Sequence, residues 1–313
     1  MMRSLYSGVA GLRVSQTKMD VVGNNIANIN TIGYKKSRTV FQDMISQTLR
    51  GASQPTANVG GMNPVQVGLG VSLGSIDVLH TQGPAMSTGN NFDVMLQGDG
   101  YFVVADAVRD INGEVNWADP DASYDPGSVA YTRAGNFAFD EEGFLVCTST
   151  GKYVLSYVSD ADPDVDGTLS LVQVPISNVS NVSVDAQGYI TFNDDQGNIG
   201  SFAPDNIYYD DGTPHDYGVA APIAVAKFNN PMGLSKIGMN MYNETNNSGI
   251  PNLDGPNGRH GQGSLLPGNL EMSNVDLAEE FTDMIVTQRG HQANARTIRT
   301  SDEMLQELAQ IKR

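Results

Sequence analysis

Apolar side chains recur by fours and threes at both ends of this 313-residue chain, and that doubled pattern restricts the fold more than any other feature. Leu5, Val9, Leu12, Gln16, Met19, Gly23, Ile26 and Asn30 fall on one side of a helix, because positions three and four apart share a face. The spacing predicts a helix over residues 5–29, about 37 Å long, closed by the turn-favouring Asn28, Asn30, Thr31 and Gly33. Leu277, Phe281, Met284, Gln288, His291, Ala295, Ile298, Leu305 and Ala309 repeat the spacing, with Asp302 as an interruption. They predict a second helix over residues 275–309, capped by Ser273 or Asn274 ahead of the acidic Asp276, Glu279 and Glu280.

Each stripe runs into Gly- and Asn-rich chain with no evident partner beside it, so its cover is expected from the other terminus or from another molecule. A coiled-coil-like pairing is the natural solution, although Gln16, Asn30, Gln288 and His291 weaken an isolated pair. The termini are therefore expected to be largely unfolded in the free monomer and to order on assembly.

Between the helices the pattern changes to short apolar runs with turn punctuation. Residues 93–105, DVMLQGDGYFVVA, read as a hairpin around Gly98, Asp99 and Gly100. FDEEGFLV at 139–146 and VDAQGYITF at 184–192 each carry Asp, two variable residues and Gly ahead of a strand, and also read as hairpins. Further strand signals lie at 153–158, 170–174 and 220–228. The expected fold is α+β, with discontinuous terminal helices and a central all-β domain. The expected divisions are 1–32 (axial helix), 33–80 (extended connector), 81–242 (β domain), 243–273 (second connector) and 274–313 (axial helix).

Charge follows the same division. Residues 1–50 carry seven basic and two acidic side chains, residues 270–313 five against eight, and the middle six against 25. Overall the formal charge is −17 with a pI near 4.4, which disfavours nucleic acid and anionic membrane as partners. No apolar run reaches the roughly 18 residues of a membrane-spanning helix, and the start MMRSLYSGVAGLRV lacks the apolar core of a cleaved secretion signal. The single cysteine, Cys147, excludes an intrachain disulfide and is expected as a small side chain in a strand.

Catalytic signatures are missing. There is no phosphate loop, no dinucleotide fingerprint, no His-Glu-x-x-His and no Cys-x-x-Cys, and His80, His215, His260 and His291 show no ligand spacing. The chain is expected to be non-enzymatic, with no cofactor. One metal-like run remains: Asp162, Asp164 and Asp166 followed by Gly167 match the opening of a calcium loop. Gln173 stands where that loop needs a bidentate Glu, and the flanks read as strands, so an acidic solvated turn is the favoured reading.

The terminal segments carry a resemblance. SLYSGVAGLRVSQTKMDVVGNNIANINTIGYKKSRTVFQDM resembles the shared start of the flagellar rod and hook family, most specifically in Gly23, Asn24, Asn25, Ile26, Ala27 and Asn28 and in Gly33, Tyr34 and Lys35. GNLEMSNVDLAEEFTDMIVTQRGHQANARTIRTSDEMLQEL resembles the family's other end, and NPVQVGLGVSLGSIDVLHTQG, STGNNFDVMLQGDGYFVV and AYTRAGNFAFDEEGFLV resemble short-chain hook subunits more than distal rod subunits.

The resemblance implies a subunit exported by the flagellar type III apparatus without signal cleavage and placed outside the cell in the basal body and hook. Its implied partners are copies of itself in a helical homopolymer, rod and hook–filament junction proteins, and a hook cap during assembly. Leu5, Val9, Leu12, Met19, Ile26, Phe281, Met284, Ile285, Ile298 and Leu305 are the expected assembly contacts. The competing expectations are a distal rod protein, straight and stiff, and a calcium-dependent surface adhesin built around the Asp162–Asp166 run.

Overall fold

A computed structural model describes residues 2–55, 60–106, 129–158, 168–172, 179–194, 199–201, 208–209 and 222–311. The chain divides into two units, one of residues 1–29, 35–79 and 275–313 and one of residues 30–34 and 80–274.

In the first unit, helix α1 (Met2–Ala27) lies against helix α2 (Leu277–Ile311). The cap of α2 is Asp276, two residues beyond Asn274, the later of the two expected caps. Asp276 accepts from the N–H groups of Ala278 at 2.8 Å and Glu279 at 3.4 Å, a carboxylate on the exposed amides of the first turn, whereas Asn274 turns its amide to Thr81.

Residues 35–79, expected as extended connector, instead form two antiparallel ladders. Ser37–Asp43 pairs with Val71–Val78, and Ser46–Arg50 pairs with Val65–Gly68. Their side chains are largely exposed on both faces, so no alternation of apolar and polar residues advertises them. Gly70, at φ +127°, carries the chain across α1, where an added Cβ would lie 3.4 Å from Ser7. Part of the cover for α1 is therefore the segment that follows it.

The second unit is built around a ten-stranded antiparallel sheet. Tyr101–Ala105 lies in its middle, paired with Val129–Thr132, Tyr153–Val158 and Val225–Lys227. Its unbroken apolar sequence has a cause in this position. Phe102 and Val104 enter one core with Val94, Leu96, Leu145, Ile190 and Leu265. Tyr101, Val103 and Ala105 enter another with Tyr131, Leu155, Phe228 and Tyr242. A strand buried on both faces reads as a continuous run, and each such side chain contributes about 1.5–3 kcal/mol of burial.

The 139–146 and 184–192 hairpins form as expected. Phe137–Phe139 pairs with Leu145–Cys147, and Val179–Val184 pairs with Ile190–Asp194. In the first turn Asp140 Oδ1 accepts from Glu142 and Phe144, and Gly143 takes φ +86°. Cys147 is fully buried in its strand.

The 93–105 hairpin does not form. Val94–Gln97 pairs with Ser264–Pro267, while Tyr101 onward enters the large sheet. Gly98 and Gly100, at φ +111° and +140°, turn the chain out of one sheet into another rather than back on itself. A Cβ on Gly100 would meet Val225 Cγ1 at 2.5 Å, so a side chain there would push the two layers apart.

Residues 243–273, expected as a second connector, also supply strands to this unit. Asn252–Asp254 pairs with Val225–Lys227, and Asn269–Glu271 pairs with Ala85–Ser87. Each is only three residues long, bracketed by Gly249, Gly261 and Gly268 at positive φ. Runs that short show no period against their turns.

Candidate assembly surfaces

The two helices pair antiparallel through small and polar residues. Ser4 meets Ser301 at 3.4 Å, and Gly8 and Gly11 lie beneath Ile298 and Asn294. Lys18 pairs with Asp283 at 3.0 Å, and Asn25 meets Glu280. A Cβ on Gly8 would be 3.0 Å from Ile298 Cγ1, and one on Gly11 would be 2.5 Å from Asn294 Nδ2. These glycines let the helices approach where larger residues would hold them apart.

The seam on α1 thus runs through positions 4, 8, 11, 18 and 25, each one residue before the expected contacts Leu5, Val9, Leu12, Met19 and Ile26. One residue is about 100° of helix rotation, so the apolar stripe lies beside the seam rather than in it. Leu5, Leu12, Met19 and Ile26 are partly buried and Val9 is exposed. On α2, Ile298 enters the seam and Met284 and Leu305 are partly buried, whereas Phe281 is 47% and Ile285 58% exposed. The pairing within one chain uses mainly polar and small residues, with Ile298 the apolar exception among the expected contacts, and leaves much of the apolar surface open.

The Gly23–Asn28 motif closes this pair. Asn25 is buried, donating its amide to Ser37 O at 2.9 Å and Glu280 Oε2 at 3.2 Å and accepting from Ser37 N–H at 3.0 Å. A single side chain ties α1, α2 and the first strand. Asn28 folds back to the carbonyl of Asn24 at 2.9 Å and finishes the helix. A Cβ on Gly23 would meet nothing within 4 Å, while Asn24 and Ala27 are exposed and Ile26 partly buried.

Glu280 is almost fully buried, and desolvation pushes its carboxyl above the ordinary value. The hydrogen bond from Asn25 and the charge of Lys36 oppose that shift, and Asp283 and Glu279 add to it. Lys36 itself bonds Glu279 at 2.7 Å.

The rest of the family motif has a different role. Gly33, at φ +68°, donates its N–H to the Glu271 carbonyl at 2.8 Å, and a Cβ there would be 2.8 Å from Ala134 N. Tyr34 is buried with the Lys236 ammonium 4.8 Å from its ring centre, and Lys35 is buried.

Sequence reasoning missed the polar centre of the β unit. Glu271 and Arg133 are both buried and form an ion pair at 3.4 Å. Glu271 also accepts from Gly83 N–H at 2.8 Å, and Arg133 donates to Gly98 O at 2.9 Å and lies 5.2 Å over the Tyr101 ring. Nothing in the local sequence distinguishes this Arg and Glu from solvated ones.

Asp162, Asp164 and Asp166, the candidate calcium ligands, lie outside the described residues. The strands before and after them, Tyr153–Val158 and Thr168–Leu171, pair antiparallel. Among the described residues no group of His, Cys, Asp or Glu is arranged to hold a metal ion, and no helix is long and apolar enough to cross a membrane.

Known proteins resemble this chain along its whole length. Residues 5–35 match the family described as flagella basal body rod protein, residues 122–192 the flagellar hook protein FlgE/F/G D1 domain, and residues 266–311 the flagellar basal body rod FlgEFG protein C-terminal. The flagellar basal-body rod protein FlgG of Bacillus subtilis is 43% identical, with 100% of both chains covered. The flagellar hook proteins FlgE of Borreliella burgdorferi and Treponema pallidum are 34% and 32% identical, again with 100% of each chain covered.

Proposed function

The chain belongs to the flagellar basal-body rod and hook protein family, and we propose that within it this protein is the structural subunit of the hook. It polymerises with copies of itself into a curved hollow tube that joins rod to filament as a universal joint and so contributes to motility. The relatives are structural proteins, and the role is mechanical rather than catalytic.

The observation that carries this reading is the one-residue offset between seam and stripe. A folded chain that spends Ser4, Gly8, Gly11 and Asn25 on its own helix pair keeps Val9, Phe281 and Ile285 for neighbours. Head-to-tail contacts generate a helical array when their rotation does not close into a ring. Leu5, Val9, Leu12, Met19, Ile26, Phe281, Met284, Ile285 and Leu305 form the axial contact surface, with Ile298 packing inside the subunit.

The hook is favoured over the rod by residues 44–79. Two-stranded ladders with Gly68 and Gly74 within their strands and Gly51, Gly60, Gly61 and Gly70 between them are compliant, and a joint that bends once per turn needs such a segment. Rod and hook–filament junction proteins lie at the ends of the tube, a cap guides its growth, and the subunit reaches the exterior through the flagellar export apparatus without signal cleavage.

A distal rod subunit is the second reading, supported by the 43% identity to a relative named flagellar basal-body rod protein. Electron microscopy of the purified full-length chain under polymerising salt, beside a version lacking residues 1–30 and 275–313, separates the two. Curved tubes from the full-length chain alone support the hook. Straight rods support the rod, and polymers from the truncated chain overturn the axial role of the helices.

A further inference from the structure

The edge of the large sheet ends in a turn that is unfavourable for the subunit alone. Strands Ser235–Gly238 and Met241–Asn243 are joined by Met239 and Asn240, at φ +51° and +58°. These are the angles of a two-residue hairpin turn that strongly prefers Asn-Gly or Gly-Gly. Asn tolerates the left-handed region, and Asn240 is tied down, donating to Ile32 O at 2.8 Å and accepting from Thr132 Oγ1 at 3.1 Å. Met is poorly suited to it, and Met239 is 71% exposed. Its side chain strains the backbone and gains little burial in return.

Met239 is not isolated. Ile237 sits at a bulge in the same edge strand, with no register partner, and is exposed. At the other end of that strand the loop carrying Met232 is bonded to the loop before Ile250, through Thr245 Oγ1 to Gly233 O at 2.6 Å and Asn230 Nδ2 to Asn247 O at 3.0 Å. Met232 is exposed and Ile250 is 86% exposed. The bulge breaks the regular row of backbone donors and acceptors, which guards against addition of a foreign strand. Recognition here would be by side chains.

Charge identifies the occupant. Residues 231–251 contain one basic and one acidic side chain, Lys236 and Glu244, within a middle region that carries six against 25. Two such acidic units repel wherever their charged faces approach within the ~8 Å screening length of physiological salt. A basic partner would be drawn to the acidic faces and would have no use for a neutral one. A like-charged copy is the partner that needs it.

We propose that the edge formed by Met232, Ile237, Met239 and Ile250 docks against the β unit of a second copy of this chain, with Met239 as the anchoring side chain. The proposal rests on the self-assembly reading above and adds to it a shell contact distinct from the helices.

The test uses full-length chains. Met239→Gly relieves the turn, so its monomer should melt no lower than wild type, while the concentration needed for assembly should rise about tenfold, as for loss of an interface hot spot. A variant that assembles at the wild-type concentration overturns the proposal. Met239→Cys supplies a reactive thiol, since Cys147 is buried. Labelled with a photoreactive maleimide and irradiated after assembly, it should give adducts to the β unit of a second copy. Adducts confined to its own chain, to the terminal helices or to another flagellar protein overturn it. If labelled subunits form normal polymers without the expected adduct, the shell contact fails and the self-assembly reading stands. If wild-type chains do not polymerise, that reading fails and takes this one with it.

Discussion

Asn25 donates its side-chain amide to the carboxylate of Glu280, 255 residues further along the chain, at 3.2 Å and out of solvent. The same amide group also satisfies both backbone groups of Ser37. Replacement by Ala removes every one of these bonds, including the one to the buried Glu280 carboxylate. Asn25→Ala should therefore cost the helix unit about 2–3 kcal/mol. Thermal melts of the assembled protein, followed by far-ultraviolet circular dichroism, measure it, and Asn25→Asp should be no better because it sets a second anion beside Glu280.

Glu280 makes the same unit sensitive to pH. Its carboxyl is raised above 4.5 in the folded chain, by burial first. The folded state then holds the proton more tightly than the unfolded one, so the stabilisation is full below 4.5 and is lost as pH rises through the raised value. Glu280→Gln keeps an acceptor for Asn25 and removes the charge. Polymers of this variant should melt at nearly constant temperature across that window, where wild type declines.

The buried Arg133–Glu271 pair predicts a different response in the β unit. Glu271→Gln keeps an acceptor for Gly83 but leaves the Arg133 cation uncompensated, at a cost of about 3–5 kcal/mol. Replacing both by Met should recover most of the loss. Urea unfolding of the single and double variants decides the point, and equal losses in all of them would mean that packing rather than charge pairing sets the stability.

The open stripe of α2 separates assembly from folding. Phe281→Ser with Ile285→Ser removes apolar side chains that are about half exposed in the subunit, so the β unit should unfold at its wild-type urea concentration. Sedimentation under polymerising conditions should show the variant staying soluble. If it pellets as wild type does, the stripe is not the axial contact.

The terminal segments offer one more check on the pairing itself. Gly8→Leu and Gly11→Leu insert bulk where even a Cβ stands 3.0 Å from Ile298 and 2.5 Å from Asn294. Both should block assembly while leaving the β unit folded. The free wild-type monomer should also show less helix than the polymer, as a pair held mainly by small and polar residues is weak alone.

The sequence alone determined the elements whose cause is local. A spacing of fours and threes is a property of one helix and needs no partner to be seen, and Asp-x-x-Gly sets a tight turn within a few bonds, as at Asp140–Gly143. Tertiary structure decided what depends on distant chain. The rotation that brings Gly8 and Gly11 to the seam, and leaves Leu5 and Val9 beside it, follows from how closely two helices can approach. Val94–Gln97 joins Ser264–Pro267 instead of its immediate neighbour because a Cβ-free corner at Gly98 and Gly100 lets the chain change sheets. Arg133 and Glu271, ordinary surface residues by composition, became a buried pair only when strands more than a hundred residues apart were brought together. Periodicity records which side of an element is apolar, and packing decides what that side meets.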